Sequence, residues 1–338
     1  MTPIWIFVLC IAIFVIVLLG RGSAKGKGRS TLMRPFRWPI EEPPAALGVP
    51  VGHPVRSAAE RLETALGLDL ESRVKDRVLK EAPDMSDEEW NWTWFELKRY
   101  FLMCAVMKGV TMYSGKVDAV WHEMLMFTRE YEEFCSKLCG MMIHHAPHGP
   151  SDAPEQDERA WFDWVYGELF TQAPASGRLW GNFYRTKMPE SRLKPLAELE
   201  AAELREKWFN AKAISHYADL GETADYLIHR AKSQLQGAGR GTASVPAWQG
   251  GYDPMLSGTG LLAGLLIMNS IGTSSDSEFS RQMDMGQTEE QRQANDSGAF
   301  VPPVCGSGSD PSGSDHSGGD GGGSDGGSSC GGGGCSSS

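Results

Sequence analysis

From Ala58 to Leu235 the apolar residues recur at spacings of three and four, and no run alternates apolar with polar over a length that could build a sheet. A chain patterned in this way must bury helical stripes against one another. The expected fold is therefore all-α, an irregular helical bundle of about six or seven helices within residues 55–237. The spacing predicts helices over Ala58–Leu66, Leu70–Leu79, Val117–Phe127, Glu130–Leu138, Gln156–Leu169, Pro195–Leu220 and Ala224–Leu235. Ser86 followed by Glu89 is a capping box, and it opens a long helix that continues to Met107. Seven of the eleven tryptophans fall between Trp90 and Trp180. Each such ring removes about 150–250 Å² from water, so one aromatic-rich core is expected without a disulfide framework.

The chain divides around that domain. Ile4 to Leu19 is an unbroken apolar run, and every charge in residues 1–39 is basic (Arg21, Lys25, Lys27, Arg29, Arg34 and Arg37). The bases follow the apolar run, whereas a cleavable signal places them before it. Residues 1–21 therefore read as a transmembrane helix, with the helical domain on the cytoplasmic side by the positive-inside rule and the bilayer as one partner. Residues 22–54 read as a basic, then Pro-rich linker, and 238–255 as a second linker. Leu256–Ile271 is a second apolar segment, interrupted by Gly258, Gly260, Gly264 and Asn269. It reads either as a second span or as a Gly-rich stretch packed on the domain, and the tail is extracytoplasmic only if it spans. Residues 272–338 carry a net charge of −8 and are expected to be a disordered acidic tail. From Gly306 that tail reads in fives, with Asp310, Asp315, Asp320 and Asp325, then Cys330 and Cys335. The whole chain is acidic, net −11, and shows no basic face over the folded part, so nucleic acid is not an expected partner.

Residues 117–148 are chemically the densest stretch. Four of the eight histidines (His122, His144, His145 and His148) fall there. Asp118 and His122 are four apart and share one helix face, and Cys135 and Cys139 share a face of the next helix. Gly140 is placed to end that helix, so that His144 and His145 follow it.

The stretch resembles the glycine-rich domain-containing protein family over roughly residues 86–150. The resemblance rests on Val117-Asp118 with Trp121-His122, on Thr128 and Tyr131 after Phe127, on Phe134-Cys135, and on His144-His145 with Pro147. It implies a helical domain, sometimes behind a membrane anchor, and a Gly/Cys-rich carboxyl end; it implies no particular reaction. Some plant relatives carry an RNA-binding motif, and this chain has no such segment.

Three roles are open to Asp118, His122, Cys135, His144 and His145. They could hold a metal of the zinc type, which takes N, S and O ligands in a tetrahedron. They could form a buried polar network that fixes one packing of the helices. Cys135 could act as a nucleophile with a histidine as base. The leading expectation is a membrane-anchored module that binds or scaffolds a protein partner; the alternative is a metal-binding regulatory or enzymatic domain built on those five residues.

Overall fold

The computed structural model describes residues 36–145, 156–181, 183–239, 252, 260–272 and 275–297. The Ile4–Leu19 run and the Gly/Ser/Asp repeat lie outside the described residues. The described residues hold fourteen α-helices and no strand, so the all-α class is as the periodicity required.

The first five helices are α1 (Arg56–Ala65), α2 (Leu68–Glu81), α3 (Asp87–Val106), α4 (Gly115–Leu125) and α5 (Thr128–Cys139). The middle is built from α6 (Gln156–Leu169), α7 (Pro174–Trp180), α8 (Glu190–Glu198), α9 (Ala201–Trp208) and α10 (Ala211–His216). The long α11 (Ala218–Gly239) is followed by α12 (Leu261–Gly272), α13 (Asp276–Gly286) and α14 (Glu289–Ser297).

Helix α3 is the hub. Ser86 Oγ caps it by accepting from Glu89 N at 3.2 Å, and Asp87, Glu88 and Glu89 in its first turn complement the dipole. Fourteen of its twenty residues are buried, so it has no solvent stripe and other elements pack all around it. The segment after it pairs with the end of α9, where Lys108 N donates to Trp208 O at 2.9 Å and Asn210 N to Val106 O at 2.9 Å.

Three buried ion pairs tie the helices together. Arg99 and Glu96 of α3 are both fully buried and 3.2 Å apart. Glu96 accepts from Ser176 Oγ at 2.7 Å, from Trp180 Nε1 at 2.8 Å and from Tyr166 OH. Arg99 donates to the carbonyls of Leu47 at 2.9 Å and Thr171 at 3.0 Å. On α6, Arg159 meets Asp163 at 2.8 Å. Glu168 meets Arg230 of α11 at 2.9 Å and accepts from Tyr226 and Gln234. Such pairs hold only when nearly every remaining donor is satisfied, as here.

Several boundaries differ from the sequence reading. The helix expected over Pro195–Leu220 is three helices and the start of a fourth. It breaks at Leu199–Glu200, where Glu200 and Glu203 form a capping box, and at Phe209–Asn210, where Asn210 Oδ1 accepts from Ala213 N. The lead-in assigned to a linker is built into the body over its described part. Ala46, Leu47 and Val49 are buried, and Ala46, Leu47 and Gly48 all have left-handed φ (48°, 56° and 66°). Tyr252, also assigned to a linker, is buried against His53 and Tyr226.

The second apolar segment follows the packed alternative over its described part. Its described part, α12, has twelve residues. At 1.5 Å per residue it is about 18 Å long, against a hydrocarbon core of about 30 Å. It packs on α6, α11 and α13, and no helix among the described residues is long and apolar enough to cross a membrane. The small residues serve this packing: Gly260, with φ +72°, donates its N–H to Gly167 O at 2.8 Å.

The acidic end is also not without structure over 276–297. Ser275 caps α13 through Glu278 N, and Thr288 with Gln291 forms a reciprocal capping box on α14. Helix α14 lies on α7, where a Cβ on Gly177 would come 2.7 Å from Asn295 Oδ1. The other end of the described chain reaches the same helix, with Arg178 5.7 Å above the ring of Phe36.

Two stability predictions follow from the buried polar groups. Glu96→Ala strands the Arg99 guanidinium, and should lower the unfolding free energy by about 3–5 kcal/mol in urea titrations of the full chain. His53 accepts from Val55 N at 3.1 Å through Nδ1 and lies edge-on between Tyr226 and Tyr252. Burial, reinforced by the Arg230 charge, pulls its pKa from 6.5 down to about 3. The native chain therefore stays neutral there while the unfolded chain takes up a proton below 6.5. Stability should fall as pH drops from 6.5 toward 3, and His53→Asn should flatten that part of the denaturation profile.

Candidate metal centre

Helix α4 starts at Ser114, whose hydroxyl accepts from Val117 N at 3.3 Å. That start places Asp118 in the first turn, where the helix dipole favours a carboxylate. Trp121 and His122 follow three and four residues later on the same face. Asp118 is buried at 4% exposure, and Trp121 is buried beneath it.

The second half of the site arrives from α5. Gly140, with φ +72°, ends that helix in the left-handed conformation and turns the chain back toward α4. Tyr131 then fixes the return path. Its hydroxyl donates to Ile143 O at 2.7 Å and accepts from Trp121 Nε1 at 3.1 Å. Two residues later the His145 ring lies edge-on to Trp121, with centroids 4.5 Å apart. His145 Nε2 is 2.7 Å from Asp118 Oδ1, and a carboxylate there can only accept, so the imidazole donates. His122 Nδ1 is 3.9 Å from Asp118 Oδ2, and the two imidazoles are 4.4 Å apart. One ligand atom from each of Asp118, His122 and His145 lies within 4.8 Å of the others.

The sequence pointed to five residues, and the structure brings three of them together. His144, next in the chain to His145, is exposed, lines the neighbouring cleft and stands outside the group of three. Cys135 lies on the buried face of α5 beside Tyr131 and Ile143, outside the group of three. Burial pushes its thiol pKa up, which disfavours the thiolate that a nucleophile needs. Cys139 is buried too and donates to Cys135 O and Met141 O.

Beside the three ligands is an open cleft of about 580 Å³. His145 and Trp121 form the wall it shares with the site, and Tyr100, Cys104, Met107, Met112, Met141 and Met142 line much of the rest. None of the residues from α3 and the 107–112 segment stood out in the sequence, because the cleft draws on segments far apart in the chain.

Fold and site together define an all-helical protein with an Asp/His/His group at the edge of an open cleft. The model of an uncharacterised family, described as UCP032817-like, matches residues 60–161. The match runs from α1 into α6 and includes Asp118, His122, Cys135, His144 and His145, but it covers less than half of the chain. No curated protein and no solved structure matches the chain.

Tyr131→Phe tests the device that delivers His145. It removes a hydroxyl with two buried partners, Trp121 N–H and Ile143 C=O. It should lower stability by about 1–3 kcal/mol in chemical denaturation, and the amides of 141–145 should exchange hydrogen faster.

Proposed function

We propose that the helical domain holds a divalent metal ion of the zinc type on Asp118, His122 and His145. The observation that carries this reading is the convergence of the three ligand atoms within 4.8 Å. A tetrahedral ion with bonds of about 2.0–2.1 Å needs its ligands about 3.3 Å apart, and side-chain adjustments of under an ångström or so bring these three to that spacing. Two imidazoles and one carboxylate form a donor set suited to zinc and to other first-row divalent ions. Three protein ligands leave a coordination position for water or another molecule, the arrangement of regulatory and catalytic sites rather than of closed structural ones. Trp121, Tyr131 and the Ser114 cap hold the ligands from behind, as supporting groups must. To ligate through Nε2, His145 would carry its proton on Nδ1, and because the ion needs neutral imidazoles and an ionised carboxylate its affinity would fall as these groups take up protons at lower pH.

The domain is also read as tethered to a membrane by Ile4–Leu19, facing the cytoplasm behind its basic collar, and as a relative of the glycine-rich domain-containing proteins. Supporting this are the order of apolar run and bases, and the motif from Val117 to Pro147. Alkaline extraction of membranes should leave the full chain in the pellet and release a chain lacking residues 1–21.

Metal analysis of the purified full chain tests the central claim. About one ion per chain is expected, lost in His122→Ala and in Asp118→Asn. Absence of zinc binding in calorimetric titration near neutral pH, with unchanged melting of His122→Ala, overturns it. The cluster would then be a packing network, and a protein-binding module would become the better reading.

A further inference from the structure

The cleft beside the metal ligands has chemistry of its own. Its volume of about 580 Å³ lies within the range of small-molecule sites, about 300–1,000 Å³. One part of its wall is soft and apolar, and the rest is polar, with Lys108, His144, His145, Glu158 and Arg192 among its residues. Four of the chain's 15 methionines line it, Met107 and Met112 buried, Met141 and Met142 half-buried. An unbranched thioether adapts to the shape of what it meets, so methionine walls suit an apolar guest of irregular outline. Cys104 adds to this surface as a neutral thiol, because burial pushes its pKa far up.

Most polar groups around the cleft are already engaged. Tyr100 donates its hydroxyl to Val110 O at 2.7 Å. Asn210 Oδ1 accepts from Ala213 N. The Arg192 guanidinium is sandwiched 5.0 Å from both Trp161 and Trp208 and is paired with Glu158. Lys108 differs: it is exposed, and among the described residues its ammonium has no carboxylate partner. Its backbone is nevertheless pinned, through the N–H donated to Trp208 O. With Arg192 and Glu158 offsetting each other, Lys108 gives the cleft a positive charge that no carboxylate among the described residues compensates, in a chain of net charge −11.

The geometry points to a binding site for a small organic anion: an apolar body against Met107, Met112, Met141 and Met142, and a carboxylate-type head on Lys108. An apolar cavity with a few placed polar groups that fix orientation is the general form of such sites, and an ammonium of this kind binds an anionic head as a point charge. The inference goes beyond the metal reading and does not require the ion, although both share the His145 wall.

Calorimetric titration of the purified full chain with 3-phenylpropanoate, alongside 3-phenylpropylammonium as its cationic counterpart, tests it. The expected result is saturable binding of the carboxylate at one site and no binding of the ammonium. Lys108→Glu should weaken the carboxylate by about tenfold or more, the loss of one charged hydrogen bond. Met142→Trp should fill the cleft and abolish binding, with helical circular dichroism unchanged in both variants. In His122→Ala the carboxylate should bind as before while any bound metal is lost, which separates the failure of this proposal from that of the metal site. No saturable binding, equal binding of the cation, or indifference to both Lys108→Glu and Met142→Trp would overturn it.

Discussion

A guanidinium sealed away from water must find nearly all its partners within the protein, and Arg99 finds them in four parts of the chain. Its contacts reach the turn at Leu47, the hydroxyls of Tyr166 and Ser176, the carbonyl of Thr171 and its own neighbour Glu96. None of these can move far without exposing a buried charge, at a cost of several kcal/mol. The left-handed run at Ala46–Gly48 is intelligible in this light. It presents the Leu47 carbonyl to Arg99, and the third position is Gly, where a Cβ would come 2.6 Å from Nη2. Because α4 packs directly on α3, the same constraint sets where Asp118 and His122 stand.

Within the site, one buried carboxylate holds two imidazoles around it. Asp118 is buried at a helix start that favours its negative charge, and two imidazoles face it. His145 donates a hydrogen bond to the carboxylate and so latches the segment 141–145 to α4, while Tyr131 secures Ile143 separately.

The fold class was legible because helical periodicity is local and survives any tertiary arrangement. Lengths were less so. The breaks at Glu200 and Asn210, and the starts at Ser275 and Thr288, carry capping residues that are visible in the sequence but modest beside the surrounding hydropathy. The segment Leu256–Ile271 could not be assigned from composition, since an apolar helix covered by protein and one covered by lipid look alike on paper; over its described part, α12 is covered by α6 and α11. In the site, Asp118 and His122 were readable from their spacing on one helix. The choice of His145 over His144, and the exclusion of Cys135, depend on how the chain turns at Gly140 and which face α5 buries. The cleft was not readable at all, because no local pattern records that Lys108, Met142 and Arg192 meet.

Helix α7 has only seven residues, yet both ends of the described chain are fastened to it, Phe36 beneath Arg178 and Asn295 against Gly177. Mechanically, this makes α7 a cleat. It meets α3 in turn through Ser176 and Trp180, while the chain just after Phe36 also touches α3 and α4 directly, with Pro39 O accepting from Trp92 Nε1 at 3.0 Å and Lys116 over the ring of Trp38. The two ends of the described chain thus share one anchor, and the amino-terminal end adds a second one beside the Asp118 helix.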